Sequence, residues 1–319
     1  MSTIGTRTPA RQIAIGARGD TGRVRTNNED RYCALLPPNT LPGVGGVLAV
    51  ADGVGGHQAG EVASQMAIDG IAAFLGRASR MAEAQDGDRL PLLHSVVTLI
   101  NRQVFEAASQ SQSGSGMGTT LSVAMIEGNS VWIGHVGDSR VYLYRDRRLS
   151  RLTPDHSWVG EEVARGAMTP QEAETHPRRN ILTRAVGIAQ EVEPATIRAD
   201  LLPGDSLLLC SDGLYGMVTE DRIAAVLGAK PPDEAADVLV DMANTAGGTD
   251  NVTVIVAQVL STEPLPAELW EGGLNVETVI PAMAKKRSTW SFGRIALFPV
   301  LAPFKAVFWL AKNLRVERR

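Results

Sequence analysis

The sequence predicts an α+β fold in which two packed antiparallel sheets carry helices on both outer faces. Short apolar runs rich in β-branched residues, 47–51, 207–210 and 252–259 among them, have the length of buried strands and are bounded by Gly, Asp or Asn. The runs 119–126, 130–137 and 140–144 follow one another across tight turns such as Glu127-Gly128-Asn129, the usual junction of antiparallel strands. Amphipathic helical patterns come in pairs, 60–80 with 90–108 and 219–227 with 232–246, each offering one apolar face to a sheet.

Taken in order, residues 12–18 alternate weakly, as an edge strand running into the turn Gly19-Asp20-Thr21-Gly22. Arg25 to Asp30 is polar, and 32–36 is another short strand. The run 47–51 ends on Asp52, where glycines at 53, 55 and 56 let backbone approach a ligand without a Cβ in the way. Val62, Met66, Ile68, Ile71 and Leu75 then recur at helical spacing, as do Leu93, Val96, Val97, Ile100 and Val104 after a polar loop 82–89. A Ser/Gly/Gln-rich stretch, 109–116, leads to the three consecutive strands, which put Asp138 in a hairpin-like turn. Thr169-Pro170 supplies an N-cap with Pro at the first helical position, inside a charged excursion over 156–189. Leu201 to Asp205 turns into the strand 206–211, and Gly247-Gly248-Thr249 frees the backbone ahead of Asp250 and the last strand.

Four aspartates, Asp52, Asp138, Asp212 and Asp250, therefore sit at ends of apolar runs. If those ends meet, each pair of charges repels by about 4 kcal/mol at ~4 Å and an effective dielectric near 20. Such a cluster must take up protons or hold cations. Oxygen-only ligands with no Cys or His partner suit Mg²⁺ or Mn²⁺ better than zinc. Asp250 precedes its strand whereas the others follow theirs, so it joins them only if that strand runs antiparallel to theirs.

Arg25-Thr-Asn-Asn-Glu29-Asp30, Asp52-Gly-Val-Gly-Gly-His57, Gly118-Thr-Thr120, Gly137-Asp-Ser-Arg140, Ser211-Asp-Gly-Leu214 and Asp250-Asn-Val252 occur in this order. The series resembles the motifs of the bacterial metal-dependent serine/threonine protein phosphatases, the type 2C or PPM family. The resemblance implies a four-layer α-β-β-α sandwich with two central antiparallel sheets, spanning 11–260, with a flap at about 156–189 that touches the substrate peptide. It implies hydrolysis of phosphoserine and phosphothreonine by water activated between two Mn²⁺ or Mg²⁺ ions, opposing a Ser/Thr kinase that acts on the same phosphorylated proteins. Asp52 bridges the two ions on this reading, Asp212 and Asp250 complete the first, and the Gly53 carbonyl serves the second. Glu29 and Asp30 bind waters of the metal shell or one metal directly, and Asp138 belongs to a third, weaker site. Arg25 clamps the phosphate, which suits a planar guanidinium with paired donors. Many eukaryotic members have histidine directly after the first Asp-Gly, where it protonates the leaving alkoxide. Val54 stands there instead, which leaves His57 and a water of the metal shell as rival acids. A non-catalytic phosphoprotein-binding scaffold of the same fold is the alternative function.

The net charge of −4 and the lack of a basic-aromatic pattern in the motif-bearing region exclude nucleic acid as the expected partner. Cys33 and Cys210 form no CxxC and read as small core residues in a reducing compartment. Residues 1–10 are a polar extension without a secretory h-region, so the expected location is cytoplasmic. The tail 261–319 differs in character: from Glu263 onward it has nine Lys/Arg and five Asp/Glu, with an apolar, aromatic stretch at 295–311 interrupted by Pro299, Pro303 and Lys305. That stretch is short of the ~20 residues of a spanning helix. It suits either the interface of an anionic inner membrane, reached peripherally, or docking on a protein.

Overall fold

The computed structural model describes residues 12–55, 58–78, 88–110 and 116–270. The first half holds strands β1 (Ile13–Asp20), β2 (Arg31–Leu35), β3 (Val44–Ala51) and β4 (Gly53–Val54), helices α1 (Gln58–Ala78) and α2 (Leu90–Gln110), and strands β5 (Gly118–Thr119), β6 (Leu121–Glu127) and β7 (Ser130–Val136). The second half holds β8 (Arg140–Arg145), β9 (Arg148–Arg151), α3 (Trp158–Ala164), α4 (Pro170–Thr175), β10 (Ala195–Asp200), β11 (Ser206–Cys210), α5 (Asp212–Tyr215), α6 (Glu220–Ala229), α7 (Pro232–Thr245) and β12 (Val252–Val259).

Two five-stranded sheets result, ordered β1-β12-β11-β8-β9 and β10-β7-β6-β3-β2, with every pairing antiparallel. The apolar runs are unbroken because each strand is covered twice. Along β3, Leu48 and Val50 face the other sheet, in one cluster with Ile133 of their own sheet and Ile13, Leu209 and Ile255 of the other. Val47, Ala49 and Ala51 point the opposite way, into the layer under α1 and α2 with Ile71, Leu75, Val97 and Ile100. In β12, Val254 and Val256 pack under α6 and α7 against Leu239 and Val240, while Ile255 and Ala257 face inward. Four layers, helix-sheet-sheet-helix, follow from this alternation.

Several expectations hold in detail. The first strand lies at a sheet edge, β12 runs antiparallel to β11, and Thr169 caps α4 with Glu172 bonding back to the Thr169 amide, a reciprocal capping box. Cys33 and Cys210 are free and buried. One expectation needs correction. Asp138 is not in a hairpin: β7 belongs to one sheet and β8 to the other, so Gly137-Asp138-Ser139 carries the chain across the sandwich. The hairpin lies one strand later, from β8 to β9, where Asp146 (φ 50°) and Arg147 (φ 63°) adopt the left-handed conformation its two-residue turn requires. The glycines after Asp52 do not end regular structure either, since β4 pairs with β5 as a two-residue ribbon.

Beyond β12 the chain stays beside Gln12, whose carbonyl accepts from the Leu260 amide and whose side-chain amide donates to the Glu263 carbonyl, and it reaches a 3₁₀ turn at Ala267–Trp270, where the Trp270 indole donates to Thr40 Oγ1. His57, residues 1–11 and the basic, apolar stretch of the tail lie outside the described residues. Among the described residues no helix is long and apolar enough to cross a membrane.

Two histidines are built into the interior. His135 on β7 donates from Nε2 to the Pro154 carbonyl, and in the neutral ring this leaves Nδ1, 2.9 Å from Ser122 Oγ, as the acceptor. Burial pushes its pKa down to about 4. Between pH 6.5 and about 4 the unfolded chain thus binds a proton that the folded chain refuses. Stability is lost as pH falls through that window, by about 2 kcal/mol at pH 5. His135→Gln keeps a donor for Pro154 without titrating, and its urea midpoint is expected to fall less than that of the wild type between pH 7 and pH 5. Equal falls would contradict this account of His135.

Candidate metal centre

Because β3 and β7 run in the same direction in one sheet, and β11 and β12 run oppositely in the other, Asp52, Asp138, Asp212 and Asp250 all arrive at one end of the sandwich. Asp30, just before β2, comes in beneath them and is 1% exposed.

The backbone holds Asp52 on two sides. Its carbonyl accepts from the Thr120 amide (2.8 Å) and from Thr119 Oγ1 (2.9 Å), and its amide donates to Thr120 Oγ1 (2.9 Å). Gly53 follows because nothing larger fits. A Cβ there would lie 2.3 Å from the Gly60 carbonyl oxygen and 2.8 Å from that of Glu29. The Gly53 amide donates to the same Glu29 carbonyl, and the Glu29 carboxylate lies against Gly60 in the first turn of α1.

Asp212 opens α5 directly after β11, and the residue before it ties three segments together. Ser211 Oγ donates to Asp30 Oδ2 (2.7 Å) and accepts from the Thr253 amide (3.0 Å). Asn251 does the same for Asp250. Its side-chain oxygen accepts from the Glu29 amide, and its amide nitrogen donates to the Thr21 and Asn27 carbonyls at 2.8–2.9 Å. Arg25 reaches Asp250 Oδ2 at 2.8 Å. Tyr215, in α5, donates to the Asp138 carbonyl at 3.0 Å.

Thus five of the predicted acids, Asp30, Asp52, Asp138, Asp212 and Asp250, form one electrostatic cluster with Arg25 at its edge. Burial, then the charges of Asp30, Asp212, Asp138 and Asp250, hold the Asp52 carboxyl well above the usual range. Burial, then Asp138, Asp250 and Asp30, do the same to Asp212. Burial pushes both Asp30 and Asp138 up to about 6, the first against its bond from Ser211 and the second with the help of Asp155. Glu29 contributes its backbone to this end of the molecule, as described above. His57, the proposed acid, lies outside the described residues. Of the other four histidines, His135 and His156 are interior, His94 is 3.5 Å from Glu193, and His176 stacks on Trp158.

Among the described residues no three acidic, His or Cys side chains already stand together as a ligand shell. The donor chemistry nonetheless fits a hard divalent cation. The set is oxygen-only, the charges of neighbouring aspartates raise the Asp52 and Asp212 carboxyls, and buried Asp30 Oδ1 has no hydrogen-bond partner in the structure. Sequence reasoning missed the groups that aim these carboxylates: Thr119, Thr120, Ser211, Asn251 and Tyr215. Four of these five lie inside the six motifs, so the signal was present in the residues beside each aspartate.

The sequence family described as Protein phosphatase 2C matches residues 26–257. Over 282 residues the chain is 39% identical to the serine/threonine protein phosphatase PstP of Mycobacterium tuberculosis, covering 87% of this chain and 52% of that protein. It therefore spans about half the length of that relative. It is 38% identical over 242 residues to the serine/threonine phosphatase stp of Listeria monocytogenes, covering 76% of this chain and 94% of that one. The crystal structure of the catalytic domain of PstP in complex with two manganese ions superposes with a TM-score of 0.67 at 37% identity, covering 78% of this chain and 99% of that one. With the match running over most of the chain, over the sandwich and over all four strand-end aspartates, the chain belongs to the metal-dependent protein phosphatase 2C family.

Proposed function

We propose that this chain hydrolyses phosphoserine and phosphothreonine in proteins, opposing a Ser/Thr kinase, at the acidic end of the sandwich. The observation that carries this reading is the convergence of Asp52, Asp212 and Asp250 beside Arg25, since a repelling cluster of this density has a use once it holds cations. Asp52 would serve two ions, Asp212 and Asp250 the first of them, and the Gly53 carbonyl the second, with Asp138 available to a third. When bound, manganese or magnesium supplies the Lewis acid that makes water nucleophilic at neutral pH.

The protein's own groups hold and orient. The Thr119, Thr120 and Glu29 bonds fix Asp52 and Gly53, so these ligands are preorganised by backbone contacts. Arg25 offers a phosphate the paired donors of a guanidinium, and at rest Asp250 keeps that group in place. Arg25→Ala is expected to raise KM for p-nitrophenyl phosphate roughly tenfold, with Arg25→Lys recovering less than half of the loss, because an ammonium restores the charge but not the fork. An unchanged KM in Arg25→Ala would remove Arg25 from the phosphate site. Release of phosphate from a phosphothreonine peptide, measured with Mn²⁺ and again with excess chelator, tests the function itself. Turnover only with the metal supports it; turnover indifferent to chelation, or none at all, defeats it.

A further inference from the structure

The excursion over 156–189 is anchored to the crossover between sheets that carries Asp138. Its first residue, His156, makes two bonds to Gly137: the His156 amide donates to the Gly137 carbonyl (2.8 Å), and the Gly137 amide donates to His156 Nδ1 (3.1 Å). Gly137 directly precedes Asp138. On the other side of Asp138, Arg140 forks onto Asp155, Nε to Oδ1 at 3.0 Å and Nη2 to Oδ2 at 2.7 Å. The loop bearing Asp138 is thus gripped at both shoulders by two adjacent residues, while Tyr215 holds the Asp138 carbonyl and lies under the Arg140 guanidinium at 3.6 Å.

The His156 grip is specific to a neutral acceptor. The ring is 1% exposed and packs against His135 with centroids 4.8 Å apart, and its Nε2 has no hydrogen-bond partner in the structure. The bond from Gly137 is therefore the one polar tie of the side chain. The same residue closes the excursion, because the Thr183 amide donates to the His156 carbonyl while Trp158 and Ile181 bond across the two limbs. Gly137 has little room to shift. At φ +109° it sits where a Cβ would lie 2.6 Å from the Thr120 side chain, the group that bonds the Asp52 amide.

We propose that His156 is a positioning residue for Asp138: through the Gly137 amide it sets where that carboxylate points, and so how tightly the third and weakest cation is held. The inference rests on the reading of Asp138 as a cation ligand. Outer groups that orient a ligand typically change metal affinity by about 10–100-fold when removed.

The test is Mn²⁺ binding to the full-length chain by equilibrium dialysis, which needs no turnover. Asp138→Ala is expected to abolish the weakest class of bound Mn²⁺. His156→Leu, which deletes the acceptor, is expected to weaken that class about tenfold and leave the tighter ions unchanged. His156→Asn, whose Oδ1 takes the place of Nδ1, is expected to restore binding to within about twofold. His156→Gln, whose acceptor falls at the Nε2 position, is expected to behave like Leu with less disturbance of packing, and it replaces Leu if that variant does not fold. In the Asp138→Ala background none of the three His156 substitutions should have a further effect. If Asp138→Ala removes the weak class but His156→Gln leaves it intact, or if Asn fails to rescue, the positioning role is wrong. If Asp138→Ala itself leaves binding unchanged, the reading of Asp138 as a ligand fails first.

Discussion

Asp52→Asn is expected to unfold at a higher temperature than the wild type in metal-free buffer, yet to hydrolyse p-nitrophenyl phosphate at least about 10³-fold more slowly in Mn²⁺. The opposite signs have one cause. Burial and four neighbouring aspartates raise the Asp52 carboxyl, so in the metal-free protein its charge opposes folding. Replacing it by a neutral isostere relieves that repulsion by about 1–2 kcal/mol after partial protonation is allowed for, or ~2–8 °C in a domain of this size. The bonds that hold residue 52 in place are backbone bonds to Thr119 and Thr120, which Asn retains. With Mn²⁺ present the order should reverse, since cations bind the wild type and stabilise it by mass action whereas the variant has lost a ligand. Differential scanning fluorimetry with and without Mn²⁺ reads both effects. Destabilisation in metal-free buffer together with loss of activity would make Asp52 an ordinary structural carboxylate.

Gly213→Ala should be the most damaging single methyl group in the site. Gly213 follows Asp212, and its missing Cβ would lie 1.9 Å from the Asn251 carbonyl oxygen and 2.9 Å from the carbon. Both are backbone atoms of the residue after Asp250, so no side chain can swing aside. Overpacking of this kind costs about 1–3 kcal/mol, and the upper end applies where only backbone can give way. A fall in Tm of roughly 6–12 °C follows. The strain also forces Asp212 and Asp250 apart, and a displacement near 1 Å costs about 10²-fold in rate. Thermal unfolding and kcat/KM should therefore fall together. Wild-type stability in Gly213→Ala would show that the β11–α5 junction and the start of β12 are not in the close contact on which the cluster depends.

The aspartates were legible because each interrupts a run whose apolar character comes from burial on both faces, as in β3 and β11. The helices were legible for the same reason, their one-sided packing leaving a 3.6-residue period. The crossover at Gly137-Asp138-Ser139 was not. A Gly-Asp turn looks the same whether the next strand returns to its own sheet or enters another, and that choice is made by β11, some 65 residues downstream along the chain. Strands β9 and β10 escaped notice because they lie on sheet edges and carry charges such as Arg148, Arg151 and Arg198 that break the apolar pattern. Helix α5 is a single turn, too short to show a period. The aiming groups Ser211 and Asn251 stood in plain view within their motifs. Their partners, Asp30 and Glu29, are 181 and 222 residues away, a separation that only the fold bridges.

The most direct measurement is a diffraction experiment on crystals soaked in Mn²⁺, with anomalous difference maps recorded above the manganese edge. The account predicts two strong peaks within ligand distance of Asp52, one of them shared with Asp212 and Asp250, and a weaker one at Asp138. Peaks elsewhere on the surface, or an acidic end without any peak at saturating manganese, would contradict it.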